Sequence, residues 1–325
     1  MTPQKDQLLQ NRHEIEALIE VVWSNLNGDS ENGNMPRIDS TTNIGFATDV
    51  CLKRLIRDYV EKCYKGKSPY AIMYELATNR NAPIMKAFEE TGGIPKEHPN
   101  RDKADAARAW LCQNFFDVRT FGAVLNGAKN AGQVRGPVQV TYADSLSPIQ
   151  QMDMQIAVKS IIDPVSTCKT SADYVEWAKN QPQDKLQTFG RKQVIPYGVY
   201  RVRIFVSPFL AEDTGFMESD FKLFLEAFRN MYELNRSASK GYISVRDGWV
   251  FKHVGSESDG SGHEQRIKLG CAPAYKLFDA VDNQLSLKDG VETPRKYGDY
   301  NIPTVESVRK ALDANGVRGI EVSAL

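Results

Sequence analysis

The stretch that most restricts the fold is residues 194–206, VIPYGVYRVRIFV. Apolar side chains alternate along it and β-branched residues are frequent, a pattern typical of a strand that packs at least one face against a core. One face carries Tyr200, Val202, Ile204 and Val206, and the other carries Val199, Arg201, Arg203 and Phe205. The sequence therefore predicts a long strand whose second face presents two arginines.

Residues 48–63, TDVCLKRLIRDYVEKC, predict an amphipathic helix. Thr48 is a favourable N-cap, and Asp49 complements the positive end of the helix. Lys53, Arg54 and Arg57 share one side, because residues three and four apart are neighbours on a helix. Such a basic cluster is either a solvated face or a surface that binds anions.

Residues 14–26 fit both a helical stripe and one face of a strand, so periodicity alone does not decide between them. Their β-branched residues and the turn-rich stretch that follows favour a strand that leads into a long loop. Residues 102–116 predict a helix, and residues 125–137, LNGAKNAGQVRGP, predict a flexible passage.

The second half of the chain supplies the remaining elements. PVQVTY at 137–142 predicts a half-buried strand, with Val138, Val140 and Tyr142 on one face. Residues 218–234 predict an amphipathic helix with an aromatic stripe. YISVRDGWVFKHV, 242–254, predicts a hairpin that turns at Asp247-Gly248, and GSESDGSG, 255–262, predicts a mobile loop.

The order of these elements is strand, helix, strand, strand, helix and strand hairpin. Long insertions follow the first helix and separate the two central strands. This order is typical of the split βαβ, ferredoxin-like arrangement, which is also the topology of the RNA-recognition motif. The sequence therefore predicts an α+β fold.

Composition and motifs exclude several kinds of function. Lys+Arg and Asp+Glu are equal at 41 each, so the chain lacks the basic excess of a free-standing nucleic-acid binder, although local basic tracts remain possible. The five cysteines include no C-x-x-C, and the histidines lack metal-ligand spacing, so we expect no metal and no cofactor. Gly127 and Gly132 have a P-loop spacing without the Lys and Ser/Thr that must follow. No apolar run reaches the length of a membrane span, and we expect a cytoplasmic protein.

Several short blocks resemble one family. They are Asn-Gly-Asp at 27–29, Gly-Asn-Met-Pro-Arg-Ile-Asp at 33–39, Thr-Asp-Val-Cys-Leu-Lys-Arg at 48–54, Phe-Asp-Val-Arg-Thr-Phe-Gly at 116–122, Gly-Pro-Val-Gln at 136–139, Gly-Arg-Lys at 190–192 and Val-Ile-Pro-Tyr-Gly-Val-Tyr at 194–200. Together they resemble the backbone subunit of type I-C CRISPR interference (Cascade) complexes. The resemblance covers most of residues 14–250 in order. Ser30 departs from the family, which usually has Pro after Asn-Gly-Asp.

The resemblance implies one composite domain with a palm of RNA-recognition-motif type, a helical insertion and an extended thumb. The implied segments are 1–62 for the first half of the palm, 63–136 for a mainly helical insertion, 137–150 for a palm strand, 151–195 for the thumb, 196–254 for the second half of the palm and 255–325 for a C-terminal segment packed on the palm.

The resemblance also implies a non-catalytic subunit of antiviral defence that polymerises along CRISPR RNA and leaves its bases free to pair with target DNA. The implied partners are CRISPR RNA, target DNA through guide pairing, further copies of the chain and other Cascade subunits. A guide of arbitrary sequence is held through its phosphates, which favours Lys and Arg. The expected RNA-binding residues are Arg37, Lys53, Arg54, Arg57, Arg119, Lys129, Arg135, Arg191, Lys192, Arg201 and Arg203.

Two other functions stay open. Asp29 and Asp39 lie in the loop after the first strand, and related backbones of type III complexes cut RNA with a loop Asp. A metal-dependent endoribonuclease is therefore one alternative, although Asp is also common in plain turns. A stand-alone RNA chaperone is the other, and it would bind short RNA as a monomer.

Overall fold

The computed structural model of this chain describes residues 6–256, 260 and 262–325, so the loop predicted at 255–262 lies partly outside the described residues. The strands are β1 (His13–Ser24), β2 (Gly28–Asp29), β3 (Met35–Pro36), β4 (Ile44–Ala47), β5 (Gly122–Asn126), β6 (Asn130–Arg135), β7 (Val138–Pro148), β8 (Met152–Val158), β9 (Thr188–Val206), β10 (Tyr242–His253), β11 (Ser286–Leu287), β12 (Tyr300–Asn301) and β13 (Ile320–Ala324). The helices are α1 (Asp49–Tyr64), α2 (Asn81–Glu90), α3 (Arg101–Asn114), α4 (Phe116–Phe121), α5 (Ser171–Lys179), α6 (Pro208–Thr214), α7 (Glu218–Asn230), α8 (His263–Leu269), α9 (Ala274–Asp282) and α10 (Val305–Ala314).

An antiparallel sheet organises the molecule. Its strands lie in the order β13-β10-β1-β9-β7-β4, and β8 pairs with the first part of β9. The expected strand at 14–26 is confirmed as β1, which runs between β9 and β10 over its length. The fold is therefore a mixed α/β structure built on an antiparallel sheet.

Both faces of the sheet are covered. On one face, β1 and β9 pack against the apolar stripes of α1 and α7, so the predicted helices at 48–63 and 218–234 are confirmed. On the other face, Leu18, Val199 and Phe251 pack against α9 and α10. The chain's own C-terminal residues therefore cover this second face of the sheet.

The segment between α1 and β7 has a small core of its own, formed by α2, α3, α4 and an antiparallel hairpin of β5 and β6. The glycine-rich stretch at 125–137 contributes to this hairpin, so its prediction as a flexible passage was wrong. Ala123 and Leu125 of β5 and Ala131 and Val134 of β6 are buried against the helices. That buried face supplies the free energy that orders the stretch despite its glycines.

The predicted hairpin at Asp247-Gly248 was also wrong. Residues 242–253 form one continuous strand, β10, and Asp247 and Gly248 pair with Leu18 and Ala17 of β1. Leu18 pairs with Asp247 and Ile19 pairs with Val245, so Arg246 of β10 has no opposite residue in β1 and forms a β-bulge. Close packing, not a turn, explains the glycine at position 248, because a Cβ there would lie 2.8 Å from the side chain of Leu325.

The strand predicted at 137–142 is confirmed as part of β7, but Tyr142 does not share the buried face of Val138 and Val140. The pairing of β7 with β9 shifts between Val140 and Ala143, and Tyr142 is 53% exposed. A bulge of this kind reverses the direction of the side chains that follow it.

The excursion between β8 and β9, residues 159–187, contains α5 and a 3-10 helix over Gln183–Leu186. No residue of α5 is buried. In the described parts of the chain, no helix is both long enough and apolar enough to cross a membrane.

Candidate nucleic-acid interface

The loop that joins β1 to α1, residues 25–48, is fixed by contacts at both ends. The Asn25 backbone N–H donates to the Ser239 carbonyl (2.7 Å), and its side-chain Nδ2 donates to the Asn34 carbonyl (2.7 Å). At the other end, Asn27 Oδ1 accepts from the Thr48 N–H (2.9 Å) and Oγ1 (3.0 Å). We call this loop, the first turn of α1 and the turn at 237–240 the loop surface.

Arg37 lies at the centre of the loop surface. Its guanidinium contacts Asp29 (Nη2–Oδ1 3.1 Å), while its Nε is buried and has no hydrogen-bond partner. Burial raises the pKa of the Cys51 thiol in α1, and the positive charges of Lys240 and Arg37 oppose that rise. Hydrogen bonds place both cations. The Arg37 N–H donates to the Asn27 carbonyl (3.3 Å), and Asn27 Oδ1 accepts from the Thr48 N–H at the start of α1. Lys240 follows Ser239, whose carbonyl accepts from the Asn25 N–H.

Two features of the loop surface suit an anion. Thr48 caps α1, and its Oγ1 accepts from the Cys51 N–H (3.3 Å), so the positive end of the helix points into this region. A buried donor without a partner, such as Arg37 Nε, is uncommon in native proteins and is often satisfied by a bound group. Lys240 belongs to this surface only through the fold, and no pattern in the sequence around it marks the connection.

The loop acids do not form a metal site. The Asp39 carboxylate accepts from the Thr41 N–H (2.9 Å) and the Thr42 hydroxyl (2.8 Å), and these hydrogen bonds lower the pKa of Asp39. It therefore stabilises a turn. Asp29 is paired with Arg37. Over residues 6–256, 260 and 262–325, no three His, Cys, Asp or Glu side chains come together as ligands for a metal ion.

Of the three basic residues on α1 that are expected to bind RNA, two have carboxylate partners on the same helix. Lys53 Nζ lies 2.9 Å from Asp49 Oδ2, and Arg54 Nη2 lies 2.5 Å from Asp58 Oδ1. Arg54 also donates to the Tyr74 carbonyl. Pairs of this type at a partly exposed helix surface are weak, so a phosphate could compete for these cations.

Arg57 is held more firmly. Its Nε donates to Asp117 Oδ2 (2.9 Å), and its guanidinium lies over the rings of Tyr74 (4.9 Å) and Phe121 (5.1 Å). Asp117 is fully buried and also accepts from the Met73 N–H (2.9 Å). These contacts give Arg57 a structural role between α1 and the segment that contains α2–α4, which argues against its prediction as an RNA-binding residue.

The surroundings of Arg119 contradict the prediction that it binds RNA. It is 4% exposed, and its Nε and Nη2 donate to the two oxygens of Asp220 at 2.9 and 2.7 Å. Nη1 donates to the Pro69 carbonyl (2.6 Å). A guanidinium that is buried and bound on every side offers no donor to a phosphate.

Arg201 and Arg203 lie on the sheet face that α9 covers. Arg201 Nη1 donates to Asp282 Oδ1 (2.7 Å), and Arg203 donates to Asp282 (2.5 Å) and to Glu16 Oε2 (2.9 Å). The prediction that they line an RNA groove conflicts with this arrangement, because their donors already bind carboxylates. Burial raises the pKa of Glu16 to about 7, although Arg203 partly opposes the rise.

The other predicted cations are scattered. Lys129 is in the turn between β5 and β6 and donates to the carbonyls of Lys96 and Glu97. Arg135 is exposed at the end of β6. Arg191, 77% exposed, and Lys192 lie where β9 pairs with β8. The structure does not bring these four together, although β9 contacts β3 and thus the loop surface.

Sequence reasoning missed the acids of β1. Glu14, Glu16 and Glu20 are all buried on the face toward the C-terminal segment. Glu14 accepts from His253 Nε2 (2.5 Å), and Glu20 accepts from the Tyr197 hydroxyl (3.0 Å). The alternation of acids in HEIEALIE is a visible signal, because three acids on one face of a buried strand require basic or donor partners.

Comparison with known proteins gives the family. The profile of the family CRISPR-associated protein Cas7 matches residues 11–305. A CRISPR-associated protein Cas7 of Haloferax volcanii is 28% identical over 168 residues, which span 47% of this chain and about half, 48%, of that relative.

Matches among solved structures include a CRISPR RNA-guided surveillance complex (13% identity, 96% of this chain and 87% of that chain, TM-score 0.47) and one in a pre-nicking state (18% identity, 74% of this chain and 75% of that chain, TM-score 0.41). Because the family profile extends over most of its length, the chain belongs to the Cas7 family of CRISPR-associated proteins.

Proposed function

We propose that this chain is an RNA-binding, non-catalytic backbone subunit of a CRISPR effector complex, and that it holds CRISPR RNA by its phosphates at the loop surface. Membership of the Cas7 family supports the general assignment. The observation that carries the site is the buried Arg37 Nε without a partner, in a loop that hydrogen bonds tie to the turn at 237–240 and to the N-terminus of α1. Backbone amides at a helix start, a lysine and an arginine donor suit a phosphate oxygen.

The strand order supports the proposed palm. Taken alone, β1, α1, β7, β9, α7 and β10 give the sheet order β10-β1-β9-β7, in which every neighbouring pair is antiparallel. This is the order expected of two interleaved βαβ units, the RNA-recognition-motif type of palm. Because α9 and α10 cover the open face of the sheet, we place the RNA at the loop surface.

The finer parts of the proposal rest on the sequence resemblance. They are the type I-C subtype, several copies side by side on one guide, a thumb at 151–195 that reaches the next copy, bases left free to pair with target DNA, and a cytoplasmic location. A grip on phosphates alone is compatible with a guide of any sequence, because a phosphate contact carries no base information.

Isolation of the protein with its RNA tests the proposal. The chain is purified after co-expression with a CRISPR array, and the bound RNA is digested with nuclease and sequenced. We expect guide RNA with protection that repeats at a regular interval, and no RNA cleavage when Mg²⁺ or Mn²⁺ is titrated. Uniform digestion, short RNA of random origin or metal-dependent cleavage would contradict the proposal.

A further inference from the structure

A cleft of about 470 Å³ opens between β7, β9 and α9. Its walls combine three kinds of side chain: aromatic rings, carboxylates and the two arginines of β9. The lining residues used below are Tyr142, Asp144, Arg201, Arg203, Tyr275 and Asp279.

Both arginines of the cleft already bind a carboxylate. Arg201 and Arg203 share the carboxylate of Asp282, and Arg203 also binds Glu16. Asp144 and Asp279, in contrast, form no ion pair with any described residue, although Asp144 lies opposite Arg201 in the ladder. The aspartates Asp144, Asp279 and Asp282 alone outnumber the two arginines, so the surplus charge of the cleft is negative even without Glu16.

The second feature of the cleft is a pair of exposed tyrosine rings. Tyr142 is 53% exposed and Tyr275 is 60% exposed. Tyr142 is held in place, because its ring lies nearly parallel to that of Phe46 (9° between planes, centroids 6.1 Å apart). A rigid, exposed ring loses little conformational entropy when a partner binds.

The bulge in β7 creates this arrangement. At the shift in pairing, Thr141 Oγ1 donates to the Arg203 carbonyl (2.9 Å) and so replaces part of the ladder. The shift turns Tyr142 outward to the cleft. Bulges that redirect a side chain are frequent beside functional sites.

We propose that the cleft receives an arginine side chain presented by another protein subunit. A planar guanidinium can stack on an exposed tyrosine ring while it donates to unpaired carboxylates such as Asp144 and Asp279. A phosphate is disfavoured there, because the surplus charge is negative and both arginines are engaged. The proposal does not depend on RNA binding at the loop surface.

The test uses the full chain and a small probe, N-acetyl-L-arginine amide, with binding followed by saturation-transfer NMR. We expect weak, saturable binding, and weaker binding of N-acetyl-L-lysine amide, which lacks the planar group. Asp279→Asn and Tyr275→Ala should each weaken binding of the arginine probe by about two- to fivefold. Both positions are exposed on α9, so the fold should persist. Asp289→Asn, an exposed acid outside the cleft, is the matched control and should have no effect.

Three results would overturn the proposal. One is no saturable binding of the arginine probe. Another is binding that Asp279→Asn and Tyr275→Ala leave unchanged in variants with wild-type circular dichroism. The third is adenosine monophosphate binding more tightly than the arginine probe and losing affinity in Arg201→Ala, which would make the cleft a nucleotide site.

Discussion

Arg119 of α4 and Asp220 of α7 form a two-pronged ion pair inside the protein, with Nε–Oδ2 and Nη2–Oδ1 distances of 2.9 and 2.7 Å. Asp220 also accepts from the Met217 N–H (3.0 Å) at the start of α7, so one carboxylate joins a helix terminus to a neighbouring helix. The pair therefore connects the segment of α2–α4 to α7, a helix that packs on the sheet. This buried ion pair therefore has a structural role.

Arg119→Met should destabilise the fold, because it leaves the buried Asp220 carboxylate without its cation. We expect a loss of about 3–5 kcal/mol in the free energy of unfolding, measured by urea titration. Arg191→Met, at a largely exposed position, is the control and should change stability by no more than about 0.5 kcal/mol. Equal stability of the two variants would refute the structural role of Arg119.

Glu16 makes a second prediction, about pH. Its pKa is raised to about 7 in the folded protein, against 4.5 for a free glutamate. Between these values the folded state binds more protons than the unfolded state, so the contribution of Glu16 to stability falls as the pH rises from about 4.5 to 7. The full change is at most about 3 kcal/mol.

Comparison of Glu16→Gln with the wild type isolates this effect, because other titrating groups, such as the buried His13 with its pKa lowered to about 3, are shared. The variant should gain stability relative to wild type as the pH is raised from 4.5 to 7.5, measured by urea unfolding at each pH. A difference that is constant with pH would show that Glu16 ionises normally.

Local patterns in the sequence were sufficient for the elements that bury one regular stripe. β9, α1 and α7 have an unbroken period of two or 3.6 residues, and the structure has all three. The sequence Asp247-Gly248 led to a wrong prediction of a turn. The turn preference of these two residues is outweighed by the backbone pairing of β10 with β1 from Tyr242 to Lys252. Long-range pairing of that kind is not visible in a short window.

The fate of the basic residues was less predictable, for a similar reason. Arg119 and Asp220 are 101 residues apart, and Arg203 and Glu16 are 187 apart. A free arginine and a paired arginine look alike in the sequence when the acid is so distant. Only the fold separates Arg37, whose Nε keeps no protein partner, from the arginines that hold the protein together.

The excursion at 159–187 yields a third prediction. Replacement of residues 160–185 by a short Gly/Ser linker leaves the β8–β9 ladder intact and removes no buried residue of α5. We expect a folded protein by circular dichroism whose cooperative assembly on long single-stranded RNA, measured by sedimentation velocity, is lost. Arg101→Ala, at an exposed position of α3, should assemble normally. If the shortened chain still assembles cooperatively, the thumb does not form the proposed contact between copies.

The last prediction tests the loop surface with salt. Each cation that neutralises a phosphate of single-stranded RNA releases counterions, so its removal flattens the slope of log affinity against log salt by about 0.7. Arg37→Ala and Lys240→Ala should each produce this change, with equal losses of affinity for guides of unrelated sequence. Arg229 is an exposed arginine on α7, and Arg229→Ala should leave the salt slope unchanged. Arg203→Ala should lower the stability of the fold and also leave the salt slope unchanged. If Arg37→Ala and Lys240→Ala are folded and keep the wild-type slope, the phosphates are held elsewhere on the molecule.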